Sequence, residues 1–467
     1  MQLTRTERIL QIFTQVEEGE GCTALLMFAN VFLILCAYYF IKPLREGWLA
    51  VSDIPGLSKM EVKAYSSFAQ SILLLFIVGF YARLAGRWNR ITLITKTTLF
   101  CISNMVIFWF LQPNFFIDEL PLAGIFFYLW VGMFGVFIVA QFWTFCADIY
   151  TDERGKRLLP LVAIGGTLGA AVGSWLVDWF VSRGIVPLDS LLLIATVPLM
   201  ISIVISKIVD ERLRNEGVIN IDKISNVVPT LLTEEGFKSI MSGAKFILLS
   251  RFLLFAAVVT LLSNWVNTNG ENLLFRVIQE TLTDQAAEQG MTDPQKVLEY
   301  TRNGTTVFYG NFFFWVNIVA LVLQAFVVSR LLKFGGFSAI LLMLPVIALV
   351  SYTAMALLPI LIIVKIMKIA ENATDYSVHN TARHVLWLPV DTLTKFRGKP
   401  AIDTLYVRVG DGLAAMTVLI GVQLLSLSIK QFFIFNVTLV ALWLIFGIML
   451  IREYNKATTV NGLDGEE

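Results

Sequence analysis

Charged side chains are scarce in this chain of 467 residues: 15% are Asp, Glu, Lys or Arg, against 57% hydrophobic, with 36 Phe and 11 Trp. Too few polar groups remain to cover a water-soluble globule of this length, which excludes the ordinary soluble classes. The net charge of +1 gives no reason to expect a nucleic-acid partner. Cysteine is rare as well. Cys22, Cys36, Cys101 and Cys146 lie in or at the ends of apolar runs, with no pair at metal-ligand spacing, so neither a disulfide framework nor a zinc site is expected. The two histidines, His379 and His384, do not make the helical i, i+4 zinc motif with an acid between them. There is no G-x-x-x-x-G-K-[ST], so any bound phosphate has to be held by side chains. No nucleophile, base or metal constellation stands out, and neither an enzyme nor a cofactor is expected. The opening MQLTRTERILQIFTQVEEGEGC lacks an apolar core ending in a small-residue cleavage site, and no secretory signal is expected.

What the chain has in abundance is long apolar runs, with a mean hydropathy of +0.72. Runs of about 20 residues suit helices crossing roughly 30 Å of hydrocarbon, and they lack the period-two alternation of barrel strands. The reading is an all-α membrane protein of twelve transmembrane helices, six within 22–208 and six within 244–453. An N-terminal segment, 1–21, a charged linker, 209–243, and a tail, 454–467, complete the organisation. Basic loops bearing Arg83, Arg87 and Arg90, then Arg154, Lys156 and Arg157, then Arg330 and Lys333, then Lys395, Arg397 and Lys399 all fall on one side. The positive-inside rule makes that side cytoplasmic, together with both termini and the linker. Asp118, Glu119 and an acidic, partly helical connection around 272–304 fall outside.

The two halves repeat. DIYTDERGK from Asp148 and DTLTKFRGK from Asp391 share Asp, Thr, Arg, Gly and Lys at identical spacing, each at the cytoplasmic end of a fourth helix. Parallel six-helix halves with a repeated basic loop are the outline of the major facilitator architecture, in which a site is exposed alternately to each side of the membrane. Asp148, Arg154 and Lys156, with Asp391, Arg397 and Lys399, are the candidate gating residues.

The most polar helix-length segment, KIMKIAENATDYSVHNTARH, stands where the tenth span should be. Lys365, Lys368, Asn372, Asp375, His379 and Arg383 are separated by steps of three and four, which keeps them on one helical face, with Glu371 at its edge. A charge at the bilayer centre costs about 2.5–3.5 kcal/mol even on the insertion scale, so this face must meet water or partners. It is either a wall that coordinates an anion or a mutually neutralised network of Lys368 with Glu371 or Asp375. At the end of the first span, Tyr38, Tyr39, Lys42, Arg45 and Glu46 surround Pro43, which tends to kink or break a helix. Two rings and two cations there suit a planar group and a phosphate or carboxylate. Alternatively, Lys42 and Arg45 snorkel to headgroups. In the seventh span Arg251 stands in an apolar run, while Asn264, Asn267 and Glu271 share a face, as site groups or as interhelical glue. Gly165, Gly169 and Gly173 repeat every four residues in the fifth, a packing signal. The cations of the first and tenth spans are expected to make one anion site.

Two stretches carry a family resemblance. FWTFCADIYTDERGKRLLPL resembles the fourth-to-fifth helix region of the ATP/ADP translocases of plastids and obligate intracellular bacteria, through Phe142, Trp143, Phe145, Lys156, Arg157, Pro160 and Leu161. YSVHNTARHVLWLPVDTLTKFRGKPAID resembles the family through Tyr376, Ser377, Arg383, Pro389, Asp391, Lys395, Arg397, Gly398, Lys399, Ala401, Ile402 and Asp403. The resemblance implies an alternating-access carrier in a bacterial inner membrane, acting as a monomer, with ATP, ADP or a related phosphorylated anion as partner. Three positions depart from the family. Its acidic residue in the fourth helix falls near Val131, its basic residue in the eleventh on Asp411, and its lysine before Tyr-Ser on Asp375, which marks a divergent bacterial branch. A transporter of another organic anion and a non-transporting membrane module are the alternatives.

Overall fold

The computed structural model describes residues 7, 11, 16–17, 19–85, 87–112, 122–215, 247 and 250–463. Among them every regular element is helical. In chain order they are α1 (Gly21–Ala50), α2 (Lys59–Ala85), α3 (Arg90–Phe110), α4 (Ala123–Ile149), α5 (Asp152–Ser182), α6 (Leu191–Asn215), α7 (Arg251–Glu288), α8 (Pro294–Val322), α9 (Val328–Leu357), α10 (Leu361–Thr374), α11 (Asn380–Val385), α12 (Thr392–Ala401), α13 (Val407–Leu419) and α14 (Ile429–Leu463). Four π-helical turns join or extend them: Leu323–Val327, Asp375–His379, Ile402–Tyr406 and Ile420–Leu424. Among the described residues nine helices are long and apolar enough to cross a membrane, one of them running from Pro294 to Leu357. That one restarts at Gly336, whose φ of 62° is a left-handed conformation suited to glycine. The loop with Asp118 and Glu119, most of 1–21 and the linker beyond 215 lie outside the described residues.

Local chemistry sets the helix starts. Ser58 and Glu61 form a reciprocal capping box at α2, the Ser58 N–H donating to Glu61 Oε2 at 2.8 Å and the Glu61 N–H to Ser58 Oγ at 3.3 Å. Burial raises the Glu61 carboxyl, but hydrogen bonds from Ser58, Gln423 and Tyr65 outweigh it and hold it below the usual carboxylate range. Ser428 and Gln431 repeat the box at α14. Asn89 caps α3 and Ser250 caps α7, so Arg251 opens α7 instead of standing inside it. The acidic connection around 272–304 is almost all helix, because α7 runs to Glu288 and α8 begins at Pro294.

The chain forms two compact units. One comprises Met1–Ser52, Ile77–Pro229 and Pro294–Ile318, the other Asp53–Phe76, Thr230–Asp293 and Val319–Glu467. In the first, α1 packs on α4, α5 and α6. Lipid is as apolar as leucine, so this packing depends on fit and not on escape from water. A Cβ on Gly165 would lie 2.7 Å from the Phe28 carbonyl, and Cβ atoms on Gly169 and Gly173 would collide with the carbonyls of Phe32 and Cys36, so the glycine stripe of α5 is the bed of α1. Trp48, Phe127 and Trp130 pack beside it, with the Trp48 and Phe127 centroids 4.2 Å apart, and Val131 is fully buried among them. In the second unit α7 packs on α13 and α14, and α9 on α10 and α14.

Candidate functional site

The second unit holds a buried cluster on α7, α9 and α10. Lys368, with 1% of its side chain exposed, places Nζ 3.0 Å from Glu371 Oε2 and 3.3 Å from Glu271 Oε1. Asn267 Oδ1 accepts from the same ammonium at 3.4 Å, and Asn372 Nδ2 donates to Glu271 Oε1 at 2.9 Å. The ammonium thus stands within 3.4 Å of three side-chain oxygens. The Tyr352 hydroxyl reaches Glu371 Oε1 at 3.0 Å and the Val266 carbonyl at 3.2 Å. α7 can come this close because residue 270 is glycine: a Cβ there would collide with the Tyr352 hydroxyl and lie 2.8 Å from Lys368 Nζ. Below the cluster opens a cavity of about 140 Å³ lined in part by Asn264, Asn267, Glu371, Asp375, His379 and Arg383. Arg383 at its mouth pairs with Asp403 at 3.2 Å, which also takes Lys399 at 2.7 Å.

The tenth-helix face expected from spacing is therefore largely assembled, with one change of emphasis: Glu371, placed at the edge by its angle, is central. Lys365 is half-buried one turn before Lys368. Asp375 and His379 bound a π-helical turn, in which the wider winding replaces the regular 100° step on which the spacing argument rests. Asn264 turns to a second network. Its Nδ2 donates to Asp411 Oδ1 at 2.6 Å and to the Val407 carbonyl at 2.8 Å, while Thr268 donates to the same carboxylate at 2.9 Å. Ser71 donates to Asp411 Oδ2, and Arg408 Nη1 lies 3.2 Å from that oxygen. Arg408, Ser71 and Tyr352 were not legible as site residues. An arginine inside an apolar run was the available signal for Arg408, whereas a lone serine or tyrosine carries none.

In the first unit, α1 continues through Pro43 to Ala50, so the proline does not break the helix as its chemistry suggests. Lys42 Nζ stands 4.0 Å from the centroid of Phe313 and 4.9 Å from that of Tyr39, and Tyr38 stacks edge-on against Tyr39. A half-buried cation over rings contributes about 0.5–1 kcal/mol, and more only as water is excluded. Arg45 is 8% exposed, lies 4.3 Å from the Tyr128 centroid and donates from Nε to Glu46 Oε1 at 2.9 Å. Arg45 is packed inside protein, which is unlike a snorkelling side chain.

The repeated loops differ in their partners. Asp148 takes Arg90 at 3.5 Å, and Arg90 also reaches Asp210 at 3.0 Å. Arg154 and Arg157 converge on Glu20, at 3.1 and 3.0 Å, while Lys156 is exposed. Asp391 instead caps α12 through the Thr394 N–H at 3.0 Å. The Arg397 side chain lies outside the described residues.

Comparison with known proteins shows what the chain is similar to. Residues 337–454, which hold α10 to α13, match the family model of the TLC ATP/ADP transporter. The chain is 22% identical over 366 residues to ADP,ATP carrier protein 1 of Chlamydia pneumoniae, a match covering 70% of this chain and 67% of that one. With ADP,ATP carrier protein 1 of Chlamydia trachomatis serovar D it shares 24% over 128 residues, about a quarter of either chain. Among solved structures it resembles a POT family transporter in complex with 5-aminolevulinic acid, with a TM-score of 0.62, 13% identity and coverage of 94% of this chain and 97% of that one. It also resembles the nucleoside transporter NupG, with a TM-score of 0.57, 12% identity and coverage of 93% and 98%. These folds are of the major facilitator type, as the repeated halves lead one to expect. The chain is a membrane transporter, similar over residues 337–454 to the TLC ATP/ADP transporters.

Proposed function

We propose that this protein is an alternating-access secondary carrier that exchanges ATP for ADP or moves a related phosphorylated anion. It acts as a monomer and crosses a bacterial inner membrane twelve times, with both termini cytoplasmic. The observation that carries this reading is the coincidence of the family match, 337–454, with the helices bearing Lys368, Arg383 and Arg408 around the buried polar cluster. Each of these cations is held by a carboxylate that an incoming anion can replace. In the first unit, Tyr38 and Tyr39 beside Lys42 and Arg45 offer ring faces next to positive charge, which suits a base and its phosphates. No covalent chemistry at the substrate is assigned. Asp148, Arg154, Lys156, Asp391, Arg397 and Lys399 serve as gating latches in this reading, supported by the ion pairs of Asp148, Arg154 and Lys399 and the capping position of Asp391.

The test is counterflow into liposomes holding the full chain. Vesicles preloaded with ADP should take up labelled ATP faster than empty ones. Counterflow of a dicarboxylate with no nucleotide movement would transfer the function to another organic anion. Absence of counterflow for every anion tried would leave a membrane module that does not transport.

A further inference from the structure

The hydrogen bonds around Tyr352 can be made in two ways. One phenolic proton faces two acceptors, the Val266 carbonyl at 3.2 Å and Glu371 Oε1 at 3.0 Å. If Tyr352 donates to Glu371, the carbonyl is left to Asn436 Nδ2 at 3.3 Å. If Tyr352 donates to the carbonyl, its oxygen meets Glu371 Oε1 as a hydrogen-bond acceptor, and the contact is favourable only when that carboxyl carries a proton. The Tyr352 hydroxyl and the Val266 carbonyl thus keep hydrogen-bond partners in either state of Glu371.

The charges ask for the same freedom. Glu371 and Glu271 share the Lys368 ammonium, at 3.0 and 3.3 Å, in a place where Glu371 is 2% exposed. A buried carboxylate and a part-exposed one on a single cation leave a surplus negative charge that a proton removes. The other charged or titratable groups around Glu371 and its cavity are Tyr352 on α9, Asp375 and His379 on the π-helical turn, Arg383 on α11 and Asp403 on the turn Ile402–Tyr406, with Lys365 earlier on α10. That cavity has room for several waters and touches Glu371, which provides a path for a proton. His379, 4% exposed on the cavity wall, leaves Nδ1 without a hydrogen-bond partner.

We propose that Glu371 is a proton-binding site, with Tyr352 as its switchable partner, and that it couples a proton to the transported anion. Coupling rests on the carrier reading above. An anion that engages Lys368 withdraws the counter-ion from Glu371, whose carboxylate oxygen then takes one proton from the cavity water. Release of the anion returns the ammonium and expels the proton. Anion and proton favour each other, so anion affinity rises by up to about tenfold for each unit of falling pH while one proton is linked.

Two experiments separate the site from the coupling. The first is infrared difference spectroscopy of the purified full chain on acidification, with no substrate added. A protonated-carboxyl band should arise, vanish in Glu371→Gln, persist in Asp375→Asn and shift in Tyr352→Phe. An undiminished band in Glu371→Gln overturns the site. The second uses proteoliposomes and ATP. Counterflow without any gradient tests the carrier reading alone, and if it fails the infrared result still decides the proton site. Given counterflow, an inward proton gradient should raise ATP accumulation about tenfold per pH unit, and a dye inside the vesicles should report acidification as ATP enters. Counterflow with neither response overturns the coupling.

Discussion

Replacing Lys368 by Met keeps most of the side chain's length and apolar bulk and removes its ammonium. At an effective dielectric of about 20, Coulomb's law assigns about 5 kcal/mol to each contact of the ammonium with Glu371 and Glu271, at 3.0 and 3.3 Å. Desolvation of the ammonium offsets several kcal/mol of that sum. The variant also leaves two carboxylates facing each other in the space that the cation held. Measured losses on removing one partner of a buried pair are about 3–5 kcal/mol, and Lys368→Met should fall in that range. The assay is reversible unfolding of the detergent-solubilised protein at pH 8, run as a double-mutant cycle with Glu371→Gln. Glu371→Gln alone should cost about 1 kcal/mol, since Glu271 still holds the ammonium. The double variant should be more stable than Lys368→Met by about 2 kcal/mol, because it has one carboxylate fewer to strand. Costs that add to within about 0.5 kcal/mol would refute the electrostatic account of the cluster.

Gly270→Ala should cost about 1–3 kcal/mol by overpacking and lower ATP counterflow as well, because its Cβ enters the space of Tyr352 and Lys368; unfolding and counterflow measured together check it. Gly169→Ala should destabilise by a similar amount through the Phe32 carbonyl, and should do so whether or not the carrier is loaded with nucleotide. Arg154→Ala, which frees Glu20 from one of its cations, should slow counterflow while leaving ATP affinity within about twofold; a loss of binding in detergent would move Arg154 into the substrate site. A cysteine in place of Thr458, near the end of α14, should resist an impermeant thiol reagent in intact cells and react after permeabilisation. Reaction from outside would reverse the proposed orientation.

The helices were legible because span length and hydropathy depend on neighbouring residues alone. Charges at three- and four-residue spacing made the tenth-helix face legible for the same reason, and the glycine stripe announced a close helix contact on α5 without naming its partner. What could not be read is pairing between helices. Glu371 looked peripheral by its angle, yet the position of Lys368 between it and Glu271 makes it central. Asp411 stood out only as an acid where relatives have a base, and its partners Ser71, Asn264, Thr268 and Arg408 come from three separate helices. Pro43 was misleading because loss of one backbone donor is tolerated in a helix that runs on to Ala50.

The π-helical turn at Asp375–His379 gives its helix one residue more than the winding requires. Everything after it is advanced by about 100° against an uninterrupted α-helix. The segment from Asn380 to Val385 is thus set like the toothed half of a ratchet. If the surplus residue moves along the chain, Arg383 swings around the axis while Lys368 stays in place, and no more than a turn of hydrogen bonds has to exchange. In such a helix the spacing between Lys368 and Arg383 is a mechanical variable.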